Sequence, residues 1–481
     1  MDHLAWLSKH PAALRPPAAP GRTIGALRGG WRLVLIVVAG SVLLASGCTA
    51  SRPVDPAEDA GPTAPDLAAA SRVGTAQAAD ALPLDHPMDE QALVDLVLAR
   101  NPTLLAMRAA WRQAQARAPQ DAAVPEPTLS YGLAPASLGE SLPGQSITLT
   151  EPLPWPQRLS QRSDIADFGA DAAEADLTTS RLQLVADAKQ AFAEYWLADG
   201  QLRVNAQLRT VVAQLDAVQT TAYGAGQGTR ITALVGEAAL NELDHHAIMF
   251  VHQRALAIAR LNYLLHQPSD HPLPPPPLAL PEPIPISDAR QLTTLALAQR
   301  SDLCAAQARV RQADARSGLV GLQDLPEVSL SVGYDTMWND PNMRLMVGVE
   351  VALPLNRDAR GAARDEAQAG SDQARAQLQA LTDRVQYEVQ ERFEHVLESL
   401  HILHLLHDRS IPTAQAILAA AQSGAASGND ATVAVLDARR QLIAVQWEYQ
   451  QAVADCHEHL ADLERVIGGP LPPPAPAQET P

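Results

Sequence analysis

The chain has 481 residues, 36 Lys and Arg against 54 Asp and Glu, 47% hydrophobic and only 4% aromatic side chains. That composition excludes a small stapled domain and a disordered chain, and it leaves ample apolar material for a large core. A formal net charge of -18 puts an anionic surface where a nucleic-acid binder needs a basic stripe, and no zinc-finger or homeodomain spacing occurs, so nucleic acid is excluded as a partner.

The chain opens with Lys9, Arg15, Arg22, Arg28 and Arg32 against one acid, Asp2, and then runs apolar from Leu33 to Ser46 before Gly47-Cys48. This is the pattern of a secretory leader over residues 1–47, its apolar run being shorter than the roughly 20 residues of a spanning helix. Leu43-Leu44-Ala45-Ser46-Gly47-Cys48 resembles the lipobox of bacterial lipoproteins. The resemblance implies lipid attachment at Cys48 and, with Thr49 rather than aspartate after it, the outer membrane. Residues 48–87, rich in Pro, Ala and Asp, read as a tether.

A shift of about 200 residues superimposes the two halves of the mature chain, which divides it into a first repeat at 88–286, a second at 287–468 and a Pro-rich tail at 469–481. Arg112-Gln113-Ala114 lies over Arg311-Gln312-Ala313, Pro125-Glu126 over Pro326-Glu327, Leu153-Pro154 over Leu353-Pro354, and Gly228 with Thr232 over Gly428 with Thr432. Each copy predicts a helical segment (88–118, 287–319), two strands, one very long helix, a glycine-bearing turn and a returning helix. In the strands Leu129, Tyr131 and Leu133 alternate with small or polar residues, as do Ile147 and Leu149, then Val328 to Tyr334 and Leu345 to Leu353. This alternation fits a membrane barrel with a wet lumen and equally a half-buried soluble hairpin.

The helices favour the first. From Gln157 to Thr221, and again from Arg360 to Gln422, no strong stop interrupts the sequence apart from Pro412, which is expected to kink the second helix. Roughly 65 residues extend nearly 100 Å at 1.5 Å per residue, far beyond a globular helix. Leu208, Val211, Leu215 and Val218 recur at coiled-coil spacing. The turns fall at Gly224, Gly226 and Gly228 in the first copy and at Gly424, Gly428, Asn429 and Asp430 in the second, and the returning helices at Ile231 to His266 and Ala431 to Ile467. Four strands cannot close a barrel alone, so several copies must pool them.

This order, together with Leu153-Pro154-Trp155-Pro156 after the second strand and Gly428 followed by Val435-Leu436-Asp437-Ala438, resembles the TolC family of outer-membrane efflux proteins over residues 85–468. Tyr334-Asp335-Thr336-Met337-Trp338 with Met343 and Met346 is most similar to its heavy-metal branch, the CzcC and CusC type. The resemblance implies a mostly helical protomer with membrane β-structure. Three copies would form a 12-stranded barrel above a periplasmic α-helical tunnel in the outer membrane of a Gram-negative bacterium. It implies a periplasmic adaptor that contacts the turns and an inner-membrane RND (resistance-nodulation-division) pump as partners. It also implies a periplasmic gate at Asp437, with Glu237 at the corresponding place in the first copy; Ala434 thins the acidic ring.

The expected role is therefore a passive conduit for heavy-metal cations, with no catalytic residue, no cofactor and no resident metal. The alternatives are a duct for drugs or small solutes, a non-conducting coiled-coil tether, and a metal enzyme built on histidines. His401, His404 and His407 sit three apart on one helix, but the intervening Ile402, Leu403, Leu405 and Leu406 read as a packed helix with a wetter histidine side. Met337, Met343 and Met346 are soft donors at a strand turn where packing against lipid explains them better. Cys304 and Cys456 remain for an oxidising periplasm, without a sequence basis for pairing them.

Overall fold

A computed structural model describes residues 86–134, 144–283, 286, 288–338, 340–424 and 429–472. The leader, Cys48 and nearly all of the tether and tail lie outside these residues. Helices α1 (Glu90–Arg100), α2 (Pro102–Gln115) and α3 (Arg117–Asp121) lead into strands β1 (Thr128–Ala134) and β2 (Gly144–Leu153). The long helix α4 (Pro156–Gly224) and its return α5 (Arg230–Leu264) complete the first copy. The second copy repeats the order with α6 (Ala289–Gln299), α7 (Ser301–Gly321), β3 (Glu327–Asp335), β4 (Leu345–Ala352), α8 (Arg357–Leu405), α9 (Ile411–Gly424) and α10 (Asn429–Ile467).

One expectation is corrected. The leading helical segments are not continuous: the first breaks at Asn101 and again at Ala116, the second at Arg300, and at Asn101 and Arg300 ψ turns to 121° and 123°. At Asn101 the cause is Pro102, whose ring drives the preceding residue out of the helical region. The second long helix runs on past Pro412. A π turn at Leu406–Ser410 precedes the proline and carries the chain through, the wider turn absorbing a residue that lacks an N–H.

The duplication is repeated in the core. One cluster joins Leu93, Val97 and Leu104 to Leu184, Ala188 and Tyr195 and to Leu261, Leu264 and Leu265. The other joins the corresponding Leu292, Ala296 and Leu303 to Val385, Val389 and Val396 and to Leu463, Val466 and Ile467. In both copies the break is tied to the end of the returning helix: Asn101 Nδ2 donates to the Leu264 carbonyl at 3.2 Å and Arg300 Nη1 to that of Val466 at 3.1 Å. Both returning helices then close in the same way, on a residue at positive φ, His266 at 55° and Gly468 at 90°. In each, the next amide reaches back to the fifth carbonyl before it, Gln267 to Asn262 and Gly469 to Glu464.

The long helices form one layer in the order α5, α4, α10, α8/α9. Helix α5 is held to α4 by Arg209–Asp244, Arg254–Asp199 and Arg260–Glu194. Helix α4 meets α10 through Lys189–Glu464 and through Val204, Val211 and Leu215 packed on Leu436 and Ile443. Helix α10 meets α8 through Arg392–Asp462 and the His459–Ser399 hydrogen bond. The expected seam of Leu208, Val211, Leu215 and Val218 is present, Val211 and Leu215 buried and the other two packed beside them.

Candidate functional site

The four strands make one antiparallel ribbon in the order β1-β2-β3-β4. Its register aligns whole rows of like side chains. Leu129 pairs with Leu149, which pairs with Val332, which pairs with Val347. The next row toward the loops is Tyr131, Ile147, Tyr334 and Leu345, and the row nearest the helices is Leu153, Val328 and Val351. Rows of the other parity hold Thr128, Thr150, Ser331 and Gly348, then Ser130, Thr148, Gly333 and Met346. One face is therefore mostly apolar, interrupted by Glu151 beside Leu330 and Val349 and by Gln145 opposite Leu133, and the opposite face is small or polar apart from Met346.

The apolar face is bare in the single chain: Leu129 is 72% exposed and Val347 70%. A contiguous exposed surface of this kind marks a partner or a membrane. Strand β2, ten residues long, rises about 34 Å, which at a tilt near 40° spans the roughly 25 Å apolar band of a membrane barrel. Trp155, at the helical end, donates its indole N–H to the Pro326 carbonyl at 2.7 Å. Arg158 beside it donates to the Leu322 and Leu325 carbonyls and pairs with Glu327 at 2.8 Å. These contacts seat the ribbon on the start of α4. At the far end Met337, Trp338 and Met343 are exposed.

At the opposite end of the layer the first turn is fixed by its own backbone. The Gln227 amide donates to the Ala222 carbonyl at 2.9 Å, and Gly226 takes a φ of 74°. A Cβ added at Gly228 would lie 3.1 Å from the Tyr223 amide nitrogen, a tight approach that glycine accommodates; Gly224 faces open space. In the second turn Gly424 ends α9 and Asn429 and Asp430 begin α10, while Gly428 lies outside the described residues. Asp437 stands two turns into α10, half-exposed and 3.7 Å from Arg440. Glu237 is exposed on α5. The structure thus places both carboxylates near the turns but on different returning helices, and in one chain it does not bring them together.

His401, His404 and His407 are all exposed; His407, in the π turn, lies beside the Tyr449 ring of α10 with centroids 6.0 Å apart. No group of three or more metal-ligating side chains occurs among the described residues of one chain. His459, stacked on His395 with ring centroids 5.3 Å apart, is held below the usual histidine range by burial and then by that neighbour. His457 is likewise lowered by burial, its Nε2 donating to the Pro281 carbonyl at 3.0 Å. Both cysteines are free, Cys304 exposed and Cys456 buried, and burial pushes the Cys456 thiol up to about 12.

Sequence reasoning missed the buried Arg300. It holds Asp302 through two hydrogen bonds, of 2.6 and 3.0 Å, and Glu388 at 2.8 Å. Burial pulls its pKa down, and the hydrogen bonds to Asp302 and Glu388 together more than reverse this. Arg300-Ser301-Asp302 standing over Asn101-Pro102-Thr103 was the available signal.

Residues 292–469, which span nearly all of the second repeat, match the family model described as outer membrane efflux protein. No curated protein matches the sequence. Among solved structures, the outer-membrane channel OprN superposes with a TM-score of 0.67 at 20% identity, covering 79% of this chain and 90% of that one. The outer membrane protein VceC from Vibrio cholerae gives 0.66 at 18% identity, over 79% and 96%. CusC, described for its folding and transmembrane channel formation, gives 0.59 at 18%, over 79% and 92%. The fold is that of a TolC-like outer-membrane channel protomer. At these identities the likeness speaks for the fold, and the ribbon, turns and helical layer described above carry the functional argument.

Proposed function

We propose that three copies of this chain form the outer-membrane duct of a tripartite efflux system and that heavy-metal cations are its cargo. The observation that carries this reading is the ribbon: four strands with one bare apolar face, one small polar face and two open edges, set on helices of about 100 Å. Three ribbons give twelve strands, enough for a lumen that side chains do not fill, with the polar face inward and the apolar face on lipid. The turns at Gly224–Gly228 and Gly424–Asp430 contact a periplasmic adaptor, and an inner-membrane RND pump supplies the energy. Asp437 and Glu237 line the closed end, where fixed negative charge favours cations over anions. Cys48 carries the lipid anchor. The metal assignment is supported by the Tyr334–Trp338 segment with Met343 and Met346 and by the CusC-type resemblance.

A deletion strain tested against a panel of metals and drugs decides the cargo, with Cys48→Ala as a companion that tests anchoring. Sensitivity to metals alone is expected; sensitivity to drugs alone overturns the metal assignment. A stable monomer in detergent-free buffer overturns the duct.

A further inference from the structure

The histidines of this chain are unevenly placed. Helix α4 has none in 69 residues, whereas the two outer helices of the layer carry five exposed ones, His245 and His252 on α5 and His401, His404 and His407 along α8 and its π turn. Each edge holds too few for a metal site within one chain. The proposed ring, on which this inference rests, brings α5 of one copy beside α8 of the next.

The duplication supplies the register of that joint. Within a chain the seam between copies of the repeat is α4 against α10, a long helix against a returning one. Across the ring the seam is again a long helix, α8, against a returning one, α5. The two core clusters fix which residues correspond: Tyr195 with Val396 on the long helices, Leu261 with Leu463 on the returning ones. Carrying this spacing along, His401 takes the place of Gly200, Ile248 that of Gln450, and His245 that of Trp447. In the seam within the chain, Gly200 and Gln450 are directly opposed, a Cβ on Gly200 falling 2.9 Å from Gln450 Oε1. Trp447 packs one turn away, beside Gln201 and Val204.

Helix α5 is prepared for such a seam. Leu234, Asn241, His245, Ile248 and His252 recur at spacings of three, four or seven on the side turned from α4, with Ile248 63% exposed. Across from them α8 offers exposed Ile402 and Leu405. We infer that in the assembled ring His401 of one copy stands opposite Ile248 of the next, between the levels of its His245 and His252, and that the imidazoles of His401 and His245 bind a borderline divalent cation such as Zn2+ across the joint. Imidazole nitrogen suits such cations, and the positions that two ligands leave open go to water or to a ligand carried by the cation. The seam within the chain, with glycine and tryptophan at these places, has no such capacity.

The test uses the full-length chain purified in detergent, with oligomeric state measured by light scattering before ZnCl2 is titrated against a chromophoric chelator. One Zn2+ per subunit joint is expected. His245→Ala and His401→Ala each weaken binding about tenfold or more while the trimer persists. Mixed trimers assembled from the two variants regain one intact joint in each ring, because one variant supplies His401 and the other His245. Separately, His401→Cys with Ile248→Cys is expected to cross-link chains under oxidation where either single change does not. A trimer that binds no Zn2+, binding unchanged in both alanine variants, or a trimer without the cross-link overturns this inference and leaves the duct standing. A chain that remains monomeric overturns both.

Discussion

The two faces of the ribbon make opposite demands on a charge, and neighbouring residues test them. Val332 lies mid-strand in the apolar row with Leu149 and Val347, while Thr148, paired with Gly333, points to the polar side. Val332→Arg places a guanidinium against hydrocarbon, at a cost of about 2–4 kcal/mol near the bilayer midplane. Three copies share one barrel, so the assembled cost is about 6–12 kcal/mol, comparable with the whole stability of a typical domain. Thr148→Arg meets the lumen and is expected to cost less than about 1 kcal/mol per chain. Urea titration of the protein reconstituted in vesicles, with heat-modifiable migration in gels as the readout, compares the two. Near-total loss of the folded trimer is expected for Val332→Arg and near wild-type behaviour for Thr148→Arg. Equal effects, or the reverse order, would refute the assignment of faces and with it the barrel.

Three further outcomes follow from particular residues. His266 holds a φ of 55° where the second copy has Gly468, so His266→Gly is expected to stabilise by about 0.5–1 kcal/mol in thermal or urea unfolding; Gly468→Ala destabilises, its Cβ falling 3.2 Å from the Arg300 Cα. Glu458 is raised to about 7 by burial first and then by Glu194, Asp455 and Asp462, against Arg260. Because its folded pKa lies above the unfolded value near 4.5, the native state holds the proton more tightly, and stability falls as pH rises from about 4.5 to 7. Glu458→Gln should therefore stabilise at pH 8, by about 1 kcal/mol after allowing for the solvent that still reaches the group, and change little at pH 4; equal gains at both pH values contradict the cause. Arg300→Ala leaves Asp302, Glu388 and the Val466 carbonyl without their donor and is expected to cost about 2–3 kcal/mol, against less than about 1 for Arg309→Ala on the surface, both read by chemical denaturation.

What the sequence shows of this molecule is what depends on period. Alternation at Leu129–Leu133 and Val328–Tyr334 is a local consequence of pleating, and the paired rows of the antiparallel register follow once two hairpins lie side by side. The length of α4 was legible because nothing in it stops a helix. The break at Asn101, which the reading of one helical segment passed over, had a local signal in Pro102, but its counterpart at Arg300 has no proline and is held by a side chain reaching Glu388 and Val466, residues far away in sequence. The π turn before Pro412 was not legible: proline shows that the backbone must adjust, not that it does so through a wider turn. The gate residues were chosen by position, and their meeting depends on neighbouring copies. The histidine edges become a pattern only when the order of helices in the layer is known.

That order also restricts how copies can join. The ribbon leaves β1 and β4 as its edges among the described residues, and these run antiparallel to each other. Pairing β4 with β4 about a twofold axis perpendicular to the strands preserves antiparallel geometry but sends the helices of the two copies to opposite sides of the membrane. A twofold axis along the strands keeps the helices together but turns one apolar face toward the other's polar one, and the pairing becomes parallel. Only β4 against β1 of the next copy, head to tail, keeps the helices on one side, the apolar faces outward and the strands antiparallel, and such a joint must close on itself into a ring. The same rotation that closes the ribbon sets α8 beside α5, so the barrel and the helical wall stand or fall on one symmetry operation. A variant that blocks the β4 edge, such as Val349→Pro, which removes a ladder donor, is accordingly expected to abolish the His401–Ile248 cross-link more than 20 residues from any strand; persistence of that link without a barrel would show that the helices assemble independently.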